Sequence, residues 1–98
     1  MAVTLGILAL LEAKPGKGED LAAFLQAGRA LAAAEEGTVT WYAFKVDENT
    51  YGIFDTLGSE DGRQAHLNGQ IPVALGQVAP ELLAGAPDIR PVDVIAVT

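Results

Sequence analysis

Cysteine is absent from the 98 residues, and histidine and tryptophan occur once each, as His66 and Trp41. Without thiols the chain can form no disulfide, cysteine-ligated zinc site, iron-sulfur cluster or cysteine nucleophile, and the absence fits a reducing compartment. A lone histidine holds a metal only if several carboxylates gather round it, and the spacing shows no such cluster, so no metal site is expected. Basic residues are scarce too: six Lys and Arg stand against thirteen Asp and Glu, for a net charge of -7. They lie scattered from Lys14 to Arg90, a distribution that repels phosphate backbones and anionic membranes and excludes nucleic acid as an expected partner. Long apolar runs are also missing. Met1 to Leu5 lacks the basic stretch of a signal peptide and the run Val3 to Leu11 is too short to span a bilayer, so a soluble, cytoplasmic protein with no membrane partner is expected. No phosphate loop, paired-carboxylate site or serine nucleophile stands out, and Gly16, Gly18 and Gly28 lack the spacing of a dinucleotide fingerprint.

What is present is apolar content, half of all residues, enough for one globular domain spanning 1–98. A chain this short buries about two-thirds of its unfolded surface, so its stability alone is marginal. Val3, Leu5, Ile7, Ala9 and Leu11 alternate as a first strand ending at the turn pair Pro15-Gly16. Glu19-Asp20 suits the positive end of a helix, along which Leu21, Phe24, Leu25, Gly28, Leu31 and Ala32 recur at helical spacing until Gly37. Thr38 to Val46 and Thr50 to Leu57 read as a hairpin rich in β-branched and aromatic residues. Ser59 suits an N-cap for a second helix to about Leu67, with Asn68-Gly69 as a left-handed stop. A further helical segment, Val73 to Leu83, should break or bend at Pro80, and Ile89 to Val97 closes as a last strand.

The order predicts an α+β, ferredoxin-like βαββαβ domain with an antiparallel sheet packed on its helices. The strands offer apolar residues to both faces, but the helices can cover only one. Sheet-to-sheet pairing into a homodimer is the expected cover for the other.

Three stretches, A-K-P-G-K-G-E-D-L at Ala13 to Leu21, E-E-G-T-V-T-W-Y at Glu35 to Tyr42, and Y-G-I-F-D-T-L followed by A-H-L within Tyr51 to Leu67, together resemble the antibiotic biosynthesis monooxygenase-like family. That resemblance covers most of the chain and implies a dimeric α/β barrel with a ligand cavity between sheet and helices in each subunit. Characterised members include cofactor-free oxygenases that turn aromatic polyketides or quinols into quinones, haem-degrading enzymes, isomerases and binding proteins. The haem-degrading pattern is not met: Thr4 and Gly6 stand on the first strand where that branch has asparagine, and no histidine follows Leu67. The tryptophan common at the end of the family's third strand is Leu57 here. The expectation is therefore a cofactor-independent monooxygenase of a small aromatic substrate, with a non-catalytic ligand-binding or accessory protein as the alternative.

In such a reaction His66 is the natural base, because its ordinary pKa lies near neutrality, though a histidine on a helix flank can equally well only cap or hydrogen-bond. Asp55 is the candidate to orient it, unless Asp55 pairs with Arg63 instead. Phe24, Tyr51 and Phe54 are candidates to meet His66 from helix and strand, while Trp41 and Tyr42, being adjacent on a strand, point to opposite faces so that only one can line a given cavity. Arg63 and Asn68 complete the expected substrate-binding set, Asn68 being first of all a helix stop.

Overall fold

A computed structural model describes residues 4–98; Val3, the expected start of the first strand, lies outside them. The chain runs β1 (Leu5–Glu12), α1 (Gly18–Ala33), β2 (Thr38–Lys45), β3 (Thr50–Leu57), α2 (Glu60–Leu67), α3 (Gln70–Leu82) and β4 (Asp88–Asp93). The strands form one antiparallel sheet in the order β2-β3-β1-β4, the ferredoxin-like arrangement, with two consecutive helices in place of the second. No helix among the described residues is long and apolar enough to cross a membrane.

Strand parity divides this sheet into two surfaces. Ile7, Ala9 and Leu11 of β1 stand opposite Asp55, Ile53 and Tyr51 of β3, and all six are buried under the helices. From α1 the stripe Leu21, Leu25, Gly28 and Ala32 meets them, at spacings of three and four residues that keep one helix face apolar. Leu75 of α3 and Leu83 join the same core. The other surface carries Leu8, Leu10 and Phe54, all partly exposed, with Tyr42 and Phe44 on the edge strand 58% and 36% exposed. There the Phe44 ring lies over Gly52, its cross-strand partner, where any Cβ would overlap it.

Several boundaries differ from the sequence expectation. Asn68 and Gly69 end α2 and begin α3 with φ of -106° and -86°, so the helix stop is not left-handed, and Gly16 in the Pro15 turn is the positive-φ position among the described residues. Pro80 does not break α3, which begins at Gln70 and continues to Leu82. It falls in the last turn, and the Lys14 ammonium donates to its carbonyl at 2.6 Å, satisfying an acceptor that the helix end leaves free. The last strand stops at Asp93, although Val94 still donates to the Thr4 carbonyl at 2.7 Å. Ser59 does cap α2 as expected, accepting from the Gly62 N–H at 3.0 Å.

The approach of α2 to the start of β2 requires two glycines. A Cβ on Gly37 would lie 2.8 Å from the Gly62 Cα, backbone against backbone, with no flexible side chain to yield. Gly37→Ala should therefore push α2 outward and destabilise the fold by roughly 1–3 kcal/mol. Urea denaturation checks this, and an unchanged midpoint would show that the crossing is not tight.

Candidate functional site

Three polar side chains are brought together beneath the sheet by three different elements. Parity on β3 turns Asp55 toward the helices, where it is 1% exposed, and α2 carries His66 inward, 6% exposed. Glu35, in the turn after α1, arrives from the other side. His66 Nδ1 lies 2.6 Å from Glu35 Oε1 and Nε2 lies 2.8 Å from Asp55 Oδ2, so the imidazole bridges two carboxylates. Glu35 Oε1 also accepts from the Thr38 hydroxyl at 2.7 Å. The Nδ1 contact is a hydrogen bond, whereas the contact to Asp55 has ion-pair distance without hydrogen-bond geometry, so both Asp55 oxygens are buried with no hydrogen-bond donor.

Burial by itself would lower the histidine pKa, but the close contacts with Asp55 and Glu35, reinforced by their charges, outweigh it and raise the value to about 9. At neutral pH His66 is therefore an imidazolium held between two carboxylates, with no lone pair free to take a proton or ligate iron. This geometry sets a cost on the expected role as general base: accepting a proton would first require losing one from between two carboxylates. It also resolves the alternatives for Asp55, which meets His66, whereas Arg63 pairs with Glu60 at 2.7 Å. The imidazole stands between the two carboxylates, and among the described residues no group of acidic and histidine side chains converges on a point that a metal could occupy.

The hollow beside the ion chain, lined by Asp55, His66, Ile53, Ile71 and Leu75 among others, has a volume of only about 30 Å³, space for about one water molecule. A much larger cleft of about 480 Å³ lies between α1 and β2. Its walls are Trp41, Tyr51, Tyr42 and Phe44 on the sheet side and Ala22, Leu25, Gln26 and Arg29 on the helix side, with Lys45 also on its lining. Trp41 and Tyr42 thus both line it, against the expectation that only one would, because β2 is the edge strand and residues of either parity reach the cleft. The Trp41 ring packs on α1 where Gly28 leaves room, 3.6 Å from where a Cβ would stand, and its indole N–H is buried without an acceptor. Trp41 is the cross-strand partner of Asp55 on the same sheet surface, so the cleft wall and the ion chain start from neighbouring strand positions.

The expected site residues thus fall into separate places. His66 and Asp55 meet each other; Trp41 and Tyr51 meet in the cleft. Phe24 packs against the core cluster and does not line the cleft. Phe54 lies on the opposite sheet surface and cannot reach His66, a consequence of its even position beside Asp55. Asn68 donates to the Gln64 carbonyl at 2.9 Å at the end of α2 and lines a different hollow against α3. Arg63 is held by Glu60, as described above. Sequence reasoning gave no role to Glu35, which entered only as the start of the stretch Glu35 to Tyr42, and it missed the helical stripe Ala22, Leu25, Gln26, Arg29, whose three- and four-residue spacing could have been read.

No family model matches the chain, and no curated protein matches its sequence. Among solved structures, a protein of unknown function from Nitrosomonas europaea is 46% identical, with a TM-score of 0.95 over 98% of this chain and 93% of its own. A Caulobacter crescentus structure provisionally named an antibiotic biosynthesis monooxygenase is 23% identical, with a TM-score of 0.80 over 96% of this chain and 92% of its own. A second Nitrosomonas europaea protein, with the same provisional name, is 9% identical at a TM-score of 0.83, covering 97% of this chain and 93% of its own. At such identities these last two likenesses concern the fold.

The ion chain makes a pH-dependent stability. Because the folded pKa of about 9 lies above the ordinary 6.5, the stabilisation is complete below pH 6.5 and is lost as pH rises through 9. Urea unfolding should show a loss on the order of 3 kcal/mol across that window, and the slope should vanish in His66→Gln. With one histidine in the chain, its ring proton signal gives the midpoint directly; a midpoint near 6.5 would contradict the clamped imidazolium.

Proposed function

The chain belongs to the family of the Nitrosomonas europaea protein to which it is 46% identical, and it has the fold of the antibiotic biosynthesis monooxygenase-like proteins; on that footing we propose that it is a cofactor-independent monooxygenase of a small aromatic quinol or polyketide-like molecule. The observation that carries this reading is the aromatic-walled cleft of about 480 Å³, a volume suited to a small organic ligand, apolar and with a few polar groups at its margin. Trp41 and Tyr51 offer ring faces for offset or edge-to-face packing with an aromatic guest. In the reaction an activated CH₂ of the ring system loses a proton to solvent, the carbanion passes electrons to O₂, one oxygen stays as a new carbonyl and the other leaves as water.

The roles differ from those that spacing alone suggested. Trp41 and Tyr51 bind, while His66, Asp55 and Glu35 fix the seam between β3, α2 and the end of α1 behind Trp41 and act as positioning residues. The triad carries one net negative charge at neutral pH, two carboxylates against one imidazolium, so it does not itself stabilise a substrate anion. We assign the open sheet surface, with Leu8, Leu10 and Phe54, to a homodimer interface, since nothing else in the described chain covers it, while Tyr42 and Phe44 at the edge strand border both that surface and the cleft.

A second reading is favoured by one observation, that the single imidazole has both nitrogens occupied. With no free base in the cleft, the same pocket serves a non-catalytic small-ligand-binding protein.

Oxygen consumption with an anthrone or quinol separates the two. Turnover that falls at least about ten-fold in Trp41→Ala, and changes little in His66→Gln once stability is matched, is the expected outcome; binding without oxygen uptake would transfer the assignment to the second reading. A loss of roughly 10²-fold or more in folded His66→Gln would restore the histidine as a general base. Light scattering at micromolar concentration should give twice the chain mass, and a stable monomer would remove the dimer.

A further inference from the structure

The charge of the cleft runs against that of the rest of the molecule. The chain has six basic side chains in a net charge of -7, and four of them are already held. Lys17 lies 3.9 Å from Asp20, Arg63 2.7 Å from Glu60 and Arg90 2.9 Å from Asp88, while Lys14 donates to the Pro80 carbonyl at 2.6 Å. Six less four leaves Arg29 and Lys45, and among the described residues neither makes an ion pair or a side-chain hydrogen bond. Lys45 reaches Asp47 only as a distant charge: that carboxyl is lowered first by the Asn49 backbone N–H and least by Lys45. Both free cations line the aromatic cleft.

Their places along it are fixed by the backbone. Gly28, next to Arg29, faces the Trp41 ring, and Gly18, ten residues earlier on α1, faces the Tyr51 hydroxyl. Lys45 is the cross-strand partner of Tyr51. Arg29 therefore belongs to the Trp41 end and Lys45 to the Tyr51 end, separated by about 14 Å of strand. An aromatic slot of that length, with a cation at each end, fits a planar system of two or three fused rings.

We propose that the cleft selects an aromatic molecule bearing an ionised oxygen, a carboxylate or a phenolate, with its ring on Trp41 and its charge met by Arg29 or Lys45. This rests on the ligand-binding reading of the cleft given above and adds the ligand's charge. A neutral ring would need neither cation, and on a surface of net negative charge an anion is repelled everywhere except where unpaired cations gather. Apolar walls lower the local dielectric and strengthen the pairing. For a quinol, cations at the cleft also favour phenolate over phenol, the proton passing to solvent.

Trp41 is the single tryptophan, so its fluorescence reports this cleft alone. Titration with anthracenecarboxylate and with the neutral anthracenemethanol should show the anion binding about ten-fold tighter or more at low ionic strength, the size of one charge-assisted contact at a partly exposed site. The preference should shrink to within about two-fold in Arg29→Gln/Lys45→Gln and at high salt, with melting temperature unchanged because both residues are exposed. Equal affinity for the two probes overturns the charge selection and leaves the aromatic cleft standing. A preference that survives the double substitution overturns the assignment to Arg29 and Lys45. Failure of both probes to quench Trp41 overturns the cleft reading itself.

Discussion

A buried carboxylate needs a counter-charge, and in this protein that requirement organises the seam between sheet and helices. Asp55 sits in the middle of β3 with 1% exposure, where an unpaired charge would cost several kcal/mol. His66 supplies the positive charge from α2, and Glu35 holds the second ring nitrogen from the turn after α1. One imidazolium thus ties together three elements that are distant in sequence. Gly37 and Gly62 let the two backbones meet beside it; a methyl group at Gly37 would overlap the Gly62 backbone, and one at Gly62 would sit tight against Gly37. The arrangement is two-sided in its chemistry: it makes the imidazole an unusually weak acid and simultaneously removes it from service as a base.

Trp41 translates that rigidity to the cleft. Its neighbour across the strands is Asp55 and its support on α1 is Gly28. A flat indole on the strand beside Asp55, packed over a glycine, suits a wall against which a ligand ring would stack in the proposed function. In that reading Trp41, with Tyr51, would meet the ligand. A histidine that reached into the cleft itself would have needed α2 to lie over β2, but α2 lies over the inner strands, and α1 takes the edge.

How far the sequence could be read follows from which interactions are local. Strand alternation, the Ser59 cap and the hairpin around Asp47 are set by near neighbours, and all were legible. So was the parity that sends Trp41 and Tyr42 to opposite surfaces; the same parity, applied to Phe54 and Asp55, excludes Phe54 from the site. Pro80 misled because a proline in the last helical turn loses less than one in the middle, and Lys14, sixty-six residues away, accommodates its carbonyl. Glu35 was illegible for a similar reason. Nothing in E-E-G distinguishes a carboxylate bound for solvent from one that will meet a histidine thirty-one residues later. The protonation state of His66 is likewise a property of its two partners, so composition alone gave only the ordinary value.

The two sheet surfaces then carry different duties for one physical reason. The helices can bury only the surface with Ile7, Ile53 and Asp55, and the alternation that makes this core apolar leaves Leu8, Phe54, Tyr42 and Phe44 on the reverse. Thr40 and Thr56 lie among them, their hydroxyls 2.6 Å apart and satisfying each other, so that patch presents few unmet polar groups. A surface that is apolar and hydrogen-bond complete is costly to leave in water and inexpensive to cover with a like surface, since covering it strands no donor or acceptor. The edge of β2 differs: there the aromatic residues meet Arg29, Lys45 and Gln26, whose charges and amide would be stripped of water by an apolar partner without compensation. The reverse surface is thus chemically suited to a second copy and the edge cleft to an aromatic guest that brings its own polar group.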